Sequence, residues 1–287
     1  MIPGRYDYHR PRTMQEAVAL LALHGEEARI LAGGHSLIPM MKLRLAEPAA
    51  LVDIARLPEL KGIREEGGEL VIGAAATQHE LIESDLLARR CPILREAALT
   101  IADPQVRYCG TVGGNVANGD PGNDLPAVMQ CLDAAYVAVG GQGQRRIAAR
   151  DFYRGVYTTA LQPGEIVAEI RIPAPPPGHG WAYEKLKRKV GDYATAAAAV
   201  LLTMDGGKVA SAAIALTNLA DTPVFAAAAG QALVGGAGDR AAAANAAELA
   251  RPLMHPASDG HGPPEYRIGV GVVMVRRAIA RAVARAA

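Results

Sequence analysis

Two short glycine segments, about eighty residues apart, constrain this chain more than any other feature. The first reads Ala32-Gly33-Gly34-His35-Ser36, and the second reads Gly110-Thr111-Val112-Gly113-Gly114-Asn115. Glycine permits positive φ and lets a ligand approach the main chain closely. Successive N–H groups in such turns form concave nests for anions, and Ser36 and Thr111 add hydroxyl donors. Two facing nests suit a diphosphate, which points to a dinucleotide. Neither segment is G-x-G-x-x-G, and neither is followed by G-K-[ST], so the Rossmann and Walker A modes are excluded. The first segment follows the apolar run Ala28-Arg29-Ile30-Leu31, which reads as a buried strand.

The remaining composition narrows the function by exclusion. A chain of 287 residues holds two domains or three small ones. Half of it is apolar but only 4% is aromatic, so its helices are expected to pack closely on small side chains. Thirty basic and 29 acidic residues give a net charge of +1, which offers no electrostatic argument for nucleic acid or an anionic membrane. The start lacks a signal-peptide pattern, and the longest apolar stretch, 194–204, is too short to span a bilayer. Cys91, Cys109 and Cys131 are odd in number and widely spaced, as expected of reduced thiols in a cytoplasmic protein. Three cysteines cannot hold an iron–sulfur cluster, which takes sets of four ligands. None of the histidines has metal-ligand spacing. No metal ligand and no catalytic side chain is assigned.

The hydrophobic pattern predicts an α+β fold. Thr13-Met-Gln-Glu16 is a capping box that opens a helix over 14–24, with Gly25 as its stop. Strands are expected at 29–31, 51–54, 69–74, 134–139 and 165–172, and helices at 77–87, 93–101 and 127–132. Asp103-Pro104 is read as the end of the 93–101 helix. Pro173-Ala-Pro-Pro-Pro177 marks a linker. Beyond it, 194–204 and 209–216 flank Asp205-Gly206-Gly207-Lys208, a hairpin signal. Alanine-rich helices are expected from Val224 and Asp239, followed by a terminal amphipathic helix over 263–286. Its arginines, Arg276, Arg277, Arg281 and Arg285, are expected on a solvated face or a subunit contact.

The ordered motifs resemble those of the flavoprotein subunits of molybdenum hydroxylases, the xanthine dehydrogenase family. Ala32 through Ala46, with Pro48 and Leu51-Val52-Asp53-Ile54, resembles their first FAD motif. Thr111 through Asn118, then Asp120-Pro121 and Asp124-Leu125-Pro126, resembles the second. Tyr183-Glu184-Lys185, Gly191-Asp192-Tyr193-Ala194, Glu265-Tyr266-Arg267 and Arg276-Arg277-Ala278 continue the likeness to the end of the chain. The likeness extends to the medium-subunit type of aerobic carbon monoxide dehydrogenase and its relatives.

The resemblance implies a two-subdomain FAD-binding domain of the PCMH/VAO-like kind over 1–176, divided into about 1–56 and 57–176. A smaller C-terminal α/β domain of the CO dehydrogenase flavoprotein type would follow over 177–287. It implies FAD contacts at Ala32, Gly33, Gly34, His35, Ser36, Leu37, Thr111, Val112, Gly113, Gly114 and Asn115. His35 would act through its backbone. Asp124 would accept hydroxyl hydrogen bonds from the cofactor's ribityl or ribose part, Lys185 would lie near the isoalloxazine, Ile166 and Val167 would give the ring an apolar contact, and Tyr193 would cover a flavin face. Gly119 and Asn123 depart from the family's usual Ala and Ser. The molybdenum-pterin cofactor and two [2Fe–2S] clusters would reside in a large and a small partner subunit, in a dimer of heterotrimers, and an external acceptor would take the electrons. Two alternatives stay open: a self-sufficient NAD(P)H-linked FAD oxidoreductase, and a non-catalytic assembly subunit.

Overall fold

The computed structural model describes residues 2–286. The chain opens with β1 (Asp7–His9), α1 (Met14–His24), β2 (Ala28–Leu31), α2 (Leu37–Lys42) and β3 (Ala50–Asp53). The three strands form a parallel sheet in the order β1-β3-β2. Thr13 starts α1 by accepting the Glu16 N–H, and Gly25 stops it at φ 53°.

An antiparallel sheet follows, built from β4 (Ile63–Glu66) and β5 (Glu69–Gly73) before a helical insert, and from later strands after it. The insert runs α3 (Gln78–Glu83), α4 (Asp85–Arg90), α5 (Pro92–Thr100), α6 (Pro104–Cys109), α7 (Val112–Ala117) and α8 (Asp124–Cys131). Strands β6 (Ala135–Gly140) and β7 (Gly143–Ala148), the small hairpin β8 (Tyr153–Gly155) and β9 (Thr158–Thr159), and β10 (Ile166–Pro173) come next. The sheet order is β4-β5-β10-β6-β7, so the last strand lies in the middle. Its open face carries a ladder of Arg64, Glu66, Glu69, Arg146, Glu169 and Arg171 that pair among themselves.

The final part holds β11 (Gly180–Leu186), β12 (Ala196–Asp205), β13 (Lys208–Thr217), β14 (Val224–Phe225), α9 (Ala227–Gln231), α10 (Arg240–Ala250) and α11 (Pro264–Arg285). The strands form one antiparallel sheet in the order β11-β12-β13-β14. Strand side chains alternate between faces, and the alanine run in β12 uses both. Ala197 and Ala199 join the apolar core of the first part, where α8 packs on β12 and β13. Ala196, Ala198, Val200 and Leu202 face the opposite way, into the core under α11. Small side chains let both layers approach the sheet; a Cβ at Gly180 would overlap the Ala282 carbonyl of α11.

Several expected elements change. The helix expected over 77–87 breaks at Ser84, whose hydroxyl accepts the Leu87 N–H and starts α4. Asp103-Pro104 begins α6 instead of only ending its predecessor, because the Asp103 carboxylate accepts the Val106 N–H. The helix expected at 127–132 starts earlier, at Asp124. Val224 opens a short strand, and the helix after it has only five residues. Two arginines of α11 reach water but are also tied to the protein: Arg281 and Arg285 donate to Glu96 of α5, and Arg281 also pairs with Glu184.

Glu96 closes the seam between the two parts. β11 is an edge strand, and the outward-facing Tyr183 N–H donates to Glu96 Oε1 at 2.7 Å. Glu96 Oε2 accepts from Arg281 and Arg285, each at 2.9 Å. Those arginines reach water and add little each, so most of the cost of losing Glu96 falls on the unpaired amide. Glu96→Ala is expected to lower stability by about 2 kcal/mol in urea denaturation, and Glu96→Gln, which keeps an acceptor, by less. Equal losses for the two variants would contradict this reading.

Candidate functional site

The first glycine segment links β2 to α2. Gly34 adopts φ 72°, which a side chain would strain. Its carbonyl accepts the Ile38 N–H at 3.1 Å and the Ser36 carbonyl accepts the Met40 N–H at 3.2 Å, so α2 starts without using the donors before it. Among the described residues, nothing accepts the backbone N–H groups of Gly33, Gly34, His35, Ser36 and Leu37. The Ser36 hydroxyl makes no cap bond either. The His35 ring is exposed, and its Nδ1 lies 2.6 Å from the Gly33 carbonyl, so the side chain braces the turn. Ala32 precedes these donors at the end of the strand.

The second segment is differently built. It is the first turn of α7, capped by Thr111, whose hydroxyl oxygen accepts the Gly114 N–H at 3.0 Å. The Val112 and Gly113 N–H groups donate to Ala76 and Ala74, each at 2.8 Å, and Asn115 N–H donates to the Thr111 carbonyl. The expectation of two facing backbone nests is corrected at the second segment. The second motif has spent the backbone donors of residues 112–115 on its own fold and keeps the Thr111 hydroxyl proton and the Asn115 amide. Gly113 is small for packing: a Cβ there would lie 2.6 Å from Ala74 Cβ. Asn115 ties α7 to α8, its Oδ1 accepting the Leu125 N–H at 3.2 Å. Its carbonyl accepts from the Asn123 side chain at 2.8 Å, which gives the departure at Asn123 a role. Gly119 takes φ 66°, where Gly is favoured over the usual Ala.

The two segments touch. A Cβ at Gly33 would overlap the Cys109 carbonyl and lie 2.9 Å from Gly110 Cα. The free donors of residues 33–37 therefore stand beside the start of α7. Nearby in sequence, the Asn118 Nδ2 atom is buried with no partner among the described residues. A run of unpaired amides, a packed glycine junction and an orphaned side-chain donor fit an acceptor-rich, anionic group such as a pyrophosphate.

Asp124 and Lys185 come together, as a buried ion pair across the seam. Asp124 lies in the first turn of α8 and Lys185 on β11, with Nζ–Oδ2 2.8 Å and side chains 4% and 2% exposed. Tyr183, on the same face of β11, donates its hydroxyl to Asp124 Oδ1 at 2.5 Å. Lys185 and Lys187 both donate to the Thr100 carbonyl at the end of α5. Burial and the Asp124 charge push the Tyr183 hydroxyl well above its usual range. Burial and the Lys185 charge hold Lys187 below the usual lysine range. Each Asp124 oxygen thus has one protein donor and keeps a further lone pair for a hydroxyl.

Ile166 and Val167 are buried. Both lie at the start of β10, in the middle of the sheet, and are 1% and 3% exposed. Their side chains fill the core, and their backbone pairs with Val139 and Ala138 of β6. Tyr193 instead is half exposed, packed over Gly122. Asp120, which it faces, also accepts from the Tyr157 hydroxyl at 3.1 Å and the Gly122 N–H at 2.9 Å. Burial and Asp120 raise both tyrosine hydroxyls. Tyr157 was missed in sequence, since nothing in its neighbours announces its φ of 54°. The described residues hold no group of three His, Cys, Asp or Glu side chains able to bind a metal. Cys91 and Cys131 are buried, and burial pushes the Cys131 thiol up to about 12.

Residues 4–175 match the family described as the FAD binding domain in molybdopterin dehydrogenase, and residues 181–282 match the CO dehydrogenase flavoprotein C-terminal domain. The chain belongs to this flavoprotein family. It is 62% identical to the carbon monoxide dehydrogenase medium chain of Afipia carboxidovorans, covering 100% of this chain and 99% of that one. It is 48% identical to the medium chain of Hydrogenophaga pseudoflava, covering all of both. The fold matches a chain of reconstituted CO dehydrogenase from Oligotropha carboxidovorans with a TM-score of 0.99 over the full length of both. As an oxidoreductase flavoprotein subunit it takes FAD as its cofactor, and the flavin carries the redox chemistry that the side chains do not.

In this flavoprotein the Asp124–Lys185 pair should behave as a coupled unit. Lys185→Met leaves a buried carboxylate without its cation, at an expected cost of about 3–5 kcal/mol. Adding Asp124→Asn should return part of that loss. A double-mutant cycle in urea checks it; additive effects of the two changes would show that the pair is not coupled.

Proposed function

We propose that this chain is the FAD-carrying medium subunit of a heterotrimeric carbon monoxide dehydrogenase. The observation that carries the substrate class is 62% and 48% identity, over the whole chain, to two carbon monoxide dehydrogenase medium chains. A large subunit with the molybdenum-pterin cofactor would oxidise the gas, and a small subunit with [2Fe–2S] clusters would deliver the electrons. The trimers would pair through a two-fold axis. We place the assembly in the cytoplasm; among the described residues no helix is long and apolar enough to cross a membrane.

We assign residues 1–176 to FAD binding and 177–287 to the C-terminal domain. The division is supported by the change of sheet between β10, which ends at Pro173, and β11, which begins at Gly180. In this reading the backbone N–H groups of residues 33–37 hold the pyrophosphate, with the Thr111 hydroxyl and Asn115 amide on its other side. Bound there, FAD would supply two-electron redox chemistry between the partner's clusters and an external acceptor. Lys185 and Asp124, held by Tyr183, form a fixed dipole, with the Lys185 ammonium as its positive end. Charges interact strongly where water is scarce, so a flavin nearer the Lys185 ammonium than the Asp124 carboxylate would be favoured in its reduced, anionic form.

The test compares the FAD-loaded isolated chain with the assembled heterotrimer. CO-dependent dye reduction is expected only with both partners present, and NADH alone should leave the isolated chain's flavin oxidised. Rapid bleaching by NADH without partners would favour a self-sufficient oxidoreductase. A chain that stays colourless in excess FAD would favour an assembly subunit.

A further inference from the structure

The terminal helix α11 carries a cation that none of the site motifs uses. Arg267 is 2% exposed, and its donors reach segments far apart in sequence. Nε donates to the Thr195 carbonyl at 3.2 Å. Nη1 donates to the Ala257 carbonyl at 2.8 Å and to Asp259 Oδ2 at 3.0 Å, and Nη2 donates to the Asn218 carbonyl. Burial lowers the guanidinium from its usual range, opposed by the charge of Asp259. Carbonyl acceptors on several sides compensate the desolvated charge, a task suited to the planar fork of arginine and not to the single ammonium of lysine.

Each segment held by Arg267 leads to the loop 187–194. Its neck is closed by the Thr195 N–H donating to the Leu186 carbonyl at 2.8 Å. Asn218, at φ 58°, donates its side-chain amide to the Ala194 carbonyl at 2.6 Å and its N–H to the Pro121 carbonyl at 3.0 Å. The loop's other end is reached through the 257–262 turn: Arg188 donates to the Gly260 carbonyl at 2.5 Å and to Asp192 at 3.1 Å. At the end of this loop the Tyr193 ring lies 2.9 Å from where a Gly122 Cβ would stand, above the turn that leads into Asn123 and Asp124.

We infer that Arg267 is a positioning residue of the flavin site: it fixes both ends of the 187–194 loop and thereby sets Tyr193 over the Asp120–Gly122 turn. The role is indirect, since the guanidinium touches only protein carbonyls and Asp259. It rests on the flavin-binding reading, because the surface it orders is the exposed face of Tyr193 beside the second glycine motif.

The experiment uses the full chain loaded with FAD, as wild type, Arg267→Lys, Arg188→Met, Tyr193→Leu and Arg267→Lys/Tyr193→Leu. Arg188 has a side chain 55% exposed, so Arg188→Met cuts the outer tether without threatening the fold. It reports the same change if Arg267→Lys does not fold. Two readouts are taken: the rate of tryptic cleavage after Lys187 and Lys189, sites that every variant keeps, and the fluorescence of bound flavin, which a held tyrosine ring quenches. Arg267→Lys and Arg188→Met are each expected to retain the wild-type circular dichroism, to raise cleavage by about fivefold or more, and to brighten the flavin. Tyr193→Leu should brighten it as well, and Arg267→Lys should add nothing in that background. Unchanged cleavage and fluorescence in both arginine variants would overturn the inference, as would brightening by Arg267→Lys that persists in full without Tyr193. Wild-type protein that takes up no FAD would overturn the flavin-binding reading instead, while cleavage still reports whether Arg267 holds the loop.

Discussion

The backbone at Gly33 meets Cys109 and Gly110 with no space for a side chain, and the arrangement of the site depends on that approach. Gly33 belongs to the parallel sheet unit, whereas Cys109 and Gly110 belong to the helical insert of the antiparallel sheet. The insert is itself held by backbone bonds from Val112 and Gly113 to Ala76 and Ala74 at the end of β5. One motif is therefore rigid because its donors are consumed, and the other is receptive because its donors are not. Backbone amides that the fold leaves unpaired are free to donate to a ligand or to water, and five in a row give an anion a ready set of donors.

The second part of the chain closes on this junction through polar contacts of unequal kinds. The Asp124–Lys185 pair is buried on both sides and carries Tyr183 with it. A pair of this sort gives little net stability over an apolar replacement, yet losing either member is costly. It fixes α8 against β11. Glu96 closes the outer edge of the same strand by capping an amide and gathering two arginines of α11. Between these polar contacts the alternating alanines of β12 bring α8 and α11 close to opposite faces of one sheet. The terminal helix thus reaches the site from behind, and Arg267 is placed to order a loop it does not belong to.

Local chemistry made much of this legible. Thr13, Thr77 and Asp239 begin helices where the capping pattern places them, because a cap is decided within four residues. The Gly206-Gly207 hairpin is as local, with both residues at positive φ. The glycine segments were visible too, but their division of labour was not. Whether Gly113 offers its N–H to a ligand or to Ala74 depends on a strand some forty residues earlier. The same limit hid the partners of Asp124, which come from β11, and hid the burial of Ile166 and Val167, which pair with Val139 and Ala138 of β6. Arg281 and Arg285 read as a surface stripe from spacing alone, since Glu96 lies far away in the chain.

The claim that the segments at residues 33–37 and 111–115 form one diphosphate site is tested most directly by amide NMR of the 15N-labelled chain, titrated with FAD and with riboflavin. The account predicts that FAD shifts the amides of residues 33–37 most strongly, with smaller shifts at Thr111 and the Asn115 side chain. Riboflavin, which lacks the phosphates, should leave residues 33–37 in place. Equal shifts with both ligands, or FAD shifts confined to the open face of the antiparallel sheet, would contradict it.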